Sequence, residues 1–297
     1  MTAAAHPIVV PLDGSKLAEL AVPAAFVLAR AWDAPLLFVH VADREPAPTP
    51  AELDRAREIF NGYVAAIMRT EAAAAIPYGT RVVQGSAAVN ILNLSLGAQF
   101  IVLASHGRSG IQATLIGSVA DKVVRGATVP VLVMPMRGPA TLSDGPIVVG
   151  VDGSALAEVG LEVARDLAKR RHSPLTIVRA YGPLVEGGVE FVSYPFDFMA
   201  SVEDASKEYL RSIAAPGEET VCTMAPALDA ITAAADRAGA SLVVLTSHGK
   251  SFGGRIALGS TTDRFLHSSR RPLLIVPVGD VTPARPVGEL ITAGAHQ

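Results

Sequence analysis

The chain has 297 residues, half of them hydrophobic, with Lys plus Arg at 25, Asp plus Glu at 28 and a formal net charge of −3. That length admits two domains, each able to bury a core, and the charge balance excludes the basic footprint of a nucleic-acid binder or of a protein held on an anionic membrane. Cys222 is the only cysteine, which excludes an internal disulfide and a cysteine-based metal site and leaves a structural thiol as the plain reading.

Taken in order, residues 1–6 lack a basic stretch followed by an apolar core, and no apolar run approaches the ~20 residues of a membrane span. A protein of the reduced cytoplasm is expected. Residues 8–12 read as a strand, and 15–31 as a helix with Ser15 as its N-cap. Pro23 lies inside that helix and should kink it or displace its start. A strand over 35–41, a Pro-rich loop over 42–50 and a largely helical stretch over 51–75 follow. Then come a strand at 79–83, a helix at 87–96, a strand at 100–104, a short helix at 118–125 and a last strand at 131–134.

The series then starts again. Val10-Pro11-Leu12-Asp13-Gly14-Ser15 returns as Val149-Gly150-Val151-Asp152-Gly153-Ser154, and Ser105-His106-Gly107 returns as Ser247-His248-Gly249. A period of this length marks a duplicated domain rather than a solenoid. The expected boundaries are 1–137 and 145–279, joined by a linker with Gly138 and Pro139, with 280–297 as a flexible tail. The insert at 182–195, with Tyr181, Phe191, Tyr194 and Phe196 nearby, reads as a lid on its own domain, with a surface contacting a partner as the alternative. Strands alternating with helices predict an α/β fold with parallel strands. The strands are continuous apolar runs, as expected when helices cover both faces.

Ligands of such sheets bind beyond the carboxyl ends of the strands. In each half three segments converge there: the turn holding Asp13 or Asp152, the end of the second strand at Val41 or Ala180, and the loop after the fourth strand. That loop runs from Gly107 to Gly117-Ser118 in the first half and from Gly249 to Gly259-Ser260 in the second, with nine residues between the glycine and the Gly-Ser pair both times. A helix starting at Gly117-Ser118 offers free N–H groups and the positive end of its dipole, which suits a phosphate. Other nucleotide motifs fail. Gly249-Lys250-Ser251 mimics the end of a P-loop, but Val244 stands where the first glycine belongs, and no Gly-x-Gly-x-x-Gly is present.

This constellation, carried in both halves, resembles the universal stress protein family, whose loop pattern is Gly-x2-Gly-x9-Gly-Ser/Thr. The resemblance spans residues 8–277. It implies two tandem open five-stranded sheets of order 3-2-1-4-5, ATP bound with Mg2+, and a regulatory or sensing role in stress with at most slow hydrolysis. In the first half the implied contacts are Pro11, Asp13 on the ribose or base side, and Val41 through its backbone. Ala104 stands at the site, His106, Gly107 and Arg108 approach the phosphates, and Gly117, Ser118 and Val119 close it. The second-half counterparts are Asp152, Ala180, His248, Gly249, Lys250, Gly259, Ser260 and Thr261. Both halves depart from the pattern at its first glycine, where Ala104 and Thr246 stand. Thr246 is β-branched and opposes any positive φ, so the first site is expected to be the better formed; its hydroxyl contacting the ligand is the alternative.

Plainer roles fit several of these residues. Asp13 and Asp152 suit an Asx turn as well as a ligand contact. His106 and His248 suit local turn bonds, and Ser118 and Ser260 each open a Ser-x-x-Asp close to a capping box. No nucleophile–base pair has diagnostic spacing, so no catalytic residue is assigned. A nucleotide-free scaffold acting through protein contacts is the alternative function. Residues 131–134 and 273–276 are apolar edge strands, and pairing them between the halves removes an aggregation-prone edge. Helical surfaces pairing two chains into a homodimer are the further expectation.

Overall fold

A computed structural model describes residues 6–43, 46–106, 116–138, 141–182, 196–247 and 258–278. It divides into two compact units, residues 1–143 with 267–297, and residues 144–266.

The first unit opens with β1 (Ile8–Pro11), α1 (Ala21–Trp32), β2 (Leu36–Ala42), α2 (Pro50–Met68) and β3 (Tyr78–Gln84). It continues with α3 (Ala87–Leu94), β4 (Phe100–Ala104), α4 (Ser118–Gly126) and β5 (Val131–Met134). Its strands lie in the order β3-β2-β1-β4-β5, all parallel. The second unit repeats the series with β6 (Ile147–Gly150), α5 (Ala155–Arg171), β7 (Leu175–Tyr181) and α6 (Phe196–Ile213). Then follow β8 (Glu219–Met224), α7 (Ala227–Ala238), β9 (Leu242–Thr246) and α8 (Ser260–Ser268). Here β8, β7, β6 and β9 are neighbours in that order and parallel. The last strand, β10 (Leu273–Val276), lies in the first unit, antiparallel to β5, with Leu274 opposite Leu132.

The central strands are the core. Ile8, Val9, Val10, Ile147, Val148 and Val149 are fully buried, as continuous apolar runs require when helices cover the sheet. In the first unit α1 packs on β1 and β4, α2 on β2 and β3, and α3 on β1 to β3.

Pro23 displaces the helix start rather than kinking the helix. Three residues of 3-10 helix, Ala18–Leu20, precede α1, and Pro23 falls in the first turn of α1, where its missing N–H costs no intrahelical bond. The second half has no such proline, and α5 runs unbroken for 17 residues from its N-cap Ser154, whose hydroxyl accepts from Ala157 N–H at 3.2 Å. Ser15 makes the matching bond to Ala18 N–H at 3.1 Å, but the expectation that it is an N-cap is corrected: Leu17 holds that position for the 3-10 turn and Leu20 for α1. Both α1 and α5 end on a left-handed non-glycine residue, Asp33 at φ 49° and His172 at φ 51°. The stretch expected to be helical over 51–75 is α2 followed by a 3-10 turn, Glu71–Ala73. Thr49 starts α2 with a full capping box: its side chain accepts from Glu52 N–H, and the Glu52 carboxylate accepts from Thr49 N–H at 2.8 Å.

Candidate functional site

In the first unit the carboxyl ends of β1, β2 and β4 meet the start of α4 around a cleft of about 350 Å3. Of the residues singled out in the sequence, the structure brings Pro11, Asp13, Val41, Ala104, His106, Gly117, Ser118 and Val119 to its wall. Val39, Ala87, Ile91 and Leu103 add an apolar side. Gly107 and Arg108 lie outside the described residues, as do His248, Gly249 and Lys250 of the second half.

Asp13 takes the plain role and keeps a place at the cleft. Its Oδ1 accepts from Ser15 N–H at 2.9 Å, an Asx turn that sets the entry to α1. Gly14 between them holds φ 82°, which glycine adopts without steric cost. Asp152 does the same for Ser154 N–H at 2.9 Å, around Gly153 at the same φ of 82°.

The capping expectation for Ser118 is corrected. Gly117 is the N-cap of α4, with no side-chain cap, and Ser118 is already the first helical residue. The first intrahelical bond runs from Asp121 N–H to Gly117 O at 2.9 Å. The N–H groups of Ser118, Val119 and Ala120 therefore stand ahead of it at the cleft wall without intrahelical partners. The Ser118 hydroxyl is exposed and not used in capping. Asp121, in the same first turn, pairs with Arg125 at 2.9 Å.

His106 adds a further donor. The Ser105 hydroxyl accepts from Met136 N–H at 3.1 Å and lies 3.0 Å from His106 Nδ1. The arrangement that uses every group has the Ser105 O–H donating to Nδ1, which leaves the ring proton on Nε2. Nε2 is buried and, among the described residues, has no hydrogen-bond partner, a state that costs free energy unless a ligand relieves it. His40, also on the wall, is held by Nδ1 at 2.9 Å from Leu12 O, with its ring against Phe60.

The second unit forms the corresponding cleft from Asp152, Ala180, Thr246, Gly259, Ser260 and Thr261, but its volume is about 160 Å3. The backbone frame is the same: Gly259 N–H donates to Ser247 O at 2.7 Å, as Gly117 N–H does to Ser105 O at 2.7 Å. The strain expected at Thr246 does not arise, since neither Ala104 nor Thr246 has positive φ. Thr246 instead points a methyl at α5, where a Cβ on Gly160 would stand 2.8 Å from its Cγ2. Alanines, Ala21 and Ala104, occupy both matching positions in the first half. Arg179 replaces His40, stacks 4.6 Å from the centre of the Tyr209 ring and touches Gly153 of the Asx turn. Tyr209 OH donates to Glu158 at 3.1 Å, repeating the bond from Tyr63 OH to Glu19 at 2.9 Å. Burial, then the Glu158 charge, push Tyr209 up to about 12, and burial with the Glu19 hydrogen bond raises Tyr63 as well.

Sequence reasoning missed Leu103 and Ile91 at the first cleft. The signal available for Leu103 was position, since it stands next to Ala104 at the end of β4.

A model of the universal stress protein family matches residues 5–135 and again 145–277. A universal stress protein of Mycobacterium tuberculosis strain H37Rv is 30% identical over 295 residues, a match covering 91% of this chain and 96% of that protein. Among solved structures, a universal stress protein from Archaeoglobus fulgidus matches with a TM-score of 0.67 at 20% identity, covering 92% of this chain and 98% of the other. A putative universal stress protein from Pseudomonas aeruginosa matches with a TM-score of 0.64 at 16% identity, covering 94% of this chain and 95% of the other. At those identities the two structures speak to the fold.

Proposed function

The chain belongs to the universal stress protein family, and we propose that it is a cytoplasmic protein that binds ATP in the cleft of its first half and acts as a regulator or sensor. The observation that carries this reading is the set of unspent donors at one wall of that cleft: the N–H groups that open α4 and the buried Nε2 of His106. Donors aimed at one volume, at the positive end of a helix dipole, suit a polyanion. The apolar side formed by Val39, Ala87, Ile91 and Leu103 suits a flat base. Among the described residues no group of three His, Cys, Asp or Glu is placed to hold a metal ion. In this reading Mg2+ arrives with the triphosphate, which supplies most of its oxygen ligands. No general base is assigned at the cleft, so hydrolysis is slow in this reading.

Denaturing the purified protein and analysing the supernatant tests for carried adenine nucleotide. Calorimetric titration with MgATP measures binding directly. Absence of both, up to millimolar ATP, overturns the reading.

One observation favours a second reading, a scaffold acting through protein contacts without nucleotide. The first half exposes Val89, Leu96 and Val119, at 56%, 44% and 38% of their surfaces, where the second half carries Asp229, Asp236 and Thr261. The frame therefore does not require apolar residues there. A V89D/L96D variant that changes oligomeric state while MgATP has no effect on it supports the scaffold.

A further inference from the structure

We propose that the chain holds one nucleotide, in its first half, and that the second cleft is a copy closed by its own side chains, with Pro11 against Gly150 as the deciding difference. This rests on the ATP reading of the first cleft.

In β1 the N–H groups of Ile8 and Leu12 donate to Pro35 and Val39 on the β2 side. Alternation along a strand then turns the N–H of Val9 and the place of residue 11 toward β4. Proline has no N–H to give there. The pairing of β1 with β4 ends at Val9 opposite Ile101. In the second half Ile147 and Val151 donate to Pro174 and Val178, so Gly150 presents its N–H toward β9. Pairing of β6 with β9 continues one residue further, to Val149 opposite Val244. The strand ends that frame the first cleft thus separate a rung earlier than those framing the second.

Side chains act in the same direction. Pro11, Ile91 and Leu103 all line the open first cleft. Gly150 has no side chain to hold the matching residues apart. A Cβ placed there would stand 2.7 Å from Leu245 Cδ2 and 2.8 Å from Ile231 Cδ1, so both residues rest on the glycine backbone. A hydroxyl strap then ties the helix start down: Thr262 Oγ1 donates to Thr246 O at 2.7 Å. The position of Thr262 is held in the first half by Ala120, which has no such donor. The outcome is about 350 Å3 in the first cleft and about 160 Å3 in the second. Ligand pockets commonly occupy about 300–1,000 Å3, a range that includes the first and not the second.

The test is the stoichiometry of MgATP binding to the full chain by calorimetry, in the wild type, Gly117→Glu and Pro11→Gly. One site is expected in the wild type and none in Gly117→Glu. Pro11→Gly is expected to bind about tenfold more weakly, with a thermal midpoint no lower than wild type because the missing rung is restored. Two sites in the wild type, or one retained in Gly117→Glu, overturn the single-site inference while leaving the ATP reading intact. Wild-type affinity in Pro11→Gly overturns the role of that residue. No site in the wild type overturns the ATP reading itself, and this inference with it.

Discussion

The two clefts share a frame and differ in what fills it. Both are bounded by an Asx turn around a left-handed glycine, by the end of a buried second strand, and by a helix whose preceding Gly N–H bonds the serine after the fourth strand. Between them Pro11 becomes Gly150, Ala104 becomes Thr246, Ala21 becomes Gly160, Ala120 becomes Thr262 and His40 becomes Arg179. Two of these changes form a pair. Thr246 gains a methyl where Gly160 gives one up. A duplicated domain can therefore hold its backbone through a compensating pair of volumes while the space at the strand ends opens in one copy and closes in the other.

The comparison breaks first at His106. If its buried Nε2–H serves an anion, His106→Ala should lose about 1.5–3 kcal/mol of binding, roughly tenfold to a hundredfold in the Kd for MgATP. His106→Gln, which keeps a donor, should recover some of the loss. An unchanged Kd in both removes the polyanion argument from the first cleft.

A somewhat smaller effect separates the halves by stability. In the second half Arg165 holds Glu218 by two parallel bonds of 2.7 Å, and Glu218 also accepts from Ala215 N–H at 2.8 Å. The matching helix position in the first half is the buried Phe26. Glu218→Gln should cost about 1–3 kcal/mol at neutral pH, read by urea unfolding. The Arg165 hydrogen bonds, followed by the backbone bond, hold the Glu218 carboxyl below its ordinary range against the opposing effect of burial. Its contribution is therefore complete above the ordinary carboxylate range and is lost as pH falls through the lowered folded value. The variant should show a flatter acid limb than wild type; an identical limb removes Glu218 from the acid response.

Next comes the paired change itself. Gly160→Ala sets a methyl 2.8 Å from Thr246 Cγ2 and should cost about 1–2 kcal/mol after the helix-propensity gain is counted. In Gly160→Ala/Thr246→Ala the clash is gone, so the double variant should lie near wild type. A coupling energy below about 0.5 kcal/mol in that cycle refutes the compensation. The smallest difference is at the caps. Ser154→Ala should cost about 1 kcal/mol because the serine opens a 17-residue helix. Ser15→Ala should cost less, since the bond from Ala18 N–H to Ser15 holds only the 3-10 turn before α1.

Much of the frame was legible because it rests on local rules. Buried strands show as unbroken apolar runs, such as Ile8-Val9-Val10, and their recurrence shows the duplication. The Asx turns follow from Asp-Gly-Ser alone. Other features were present in the sequence and misread. Thr49-Pro50-Ala51-Glu52 carries a capping box across the loop–helix boundary that the sequence reading passed over. Gly117 takes the cap that Ser118-Val119-Ala120-Asp121 advertises. The closing of the second cleft was not legible. Gly150 reads there as one more strand glycine, and its meaning depends on Leu245 and Ile231, which reach it from β9 and α7. Thr246 reads as a backbone problem, and becomes a packing feature only once Gly160 is set beside it.

The antiparallel pairing of β5 with β10 bears on the order of synthesis. Val131–Met134 leaves the ribosome long before its partner Leu273–Val276, which is roughly 140 residues further along the chain. At about 5–20 residues per second that is an interval of about 7–30 s. Throughout it the first unit has every strand of its parallel sheet, yet it shows an uncovered apolar edge to the rest of the cell. The unit that is made first is finished last, and until then any chaperone that shields a bare strand has a defined target in Val131-Leu132-Val133-Met134.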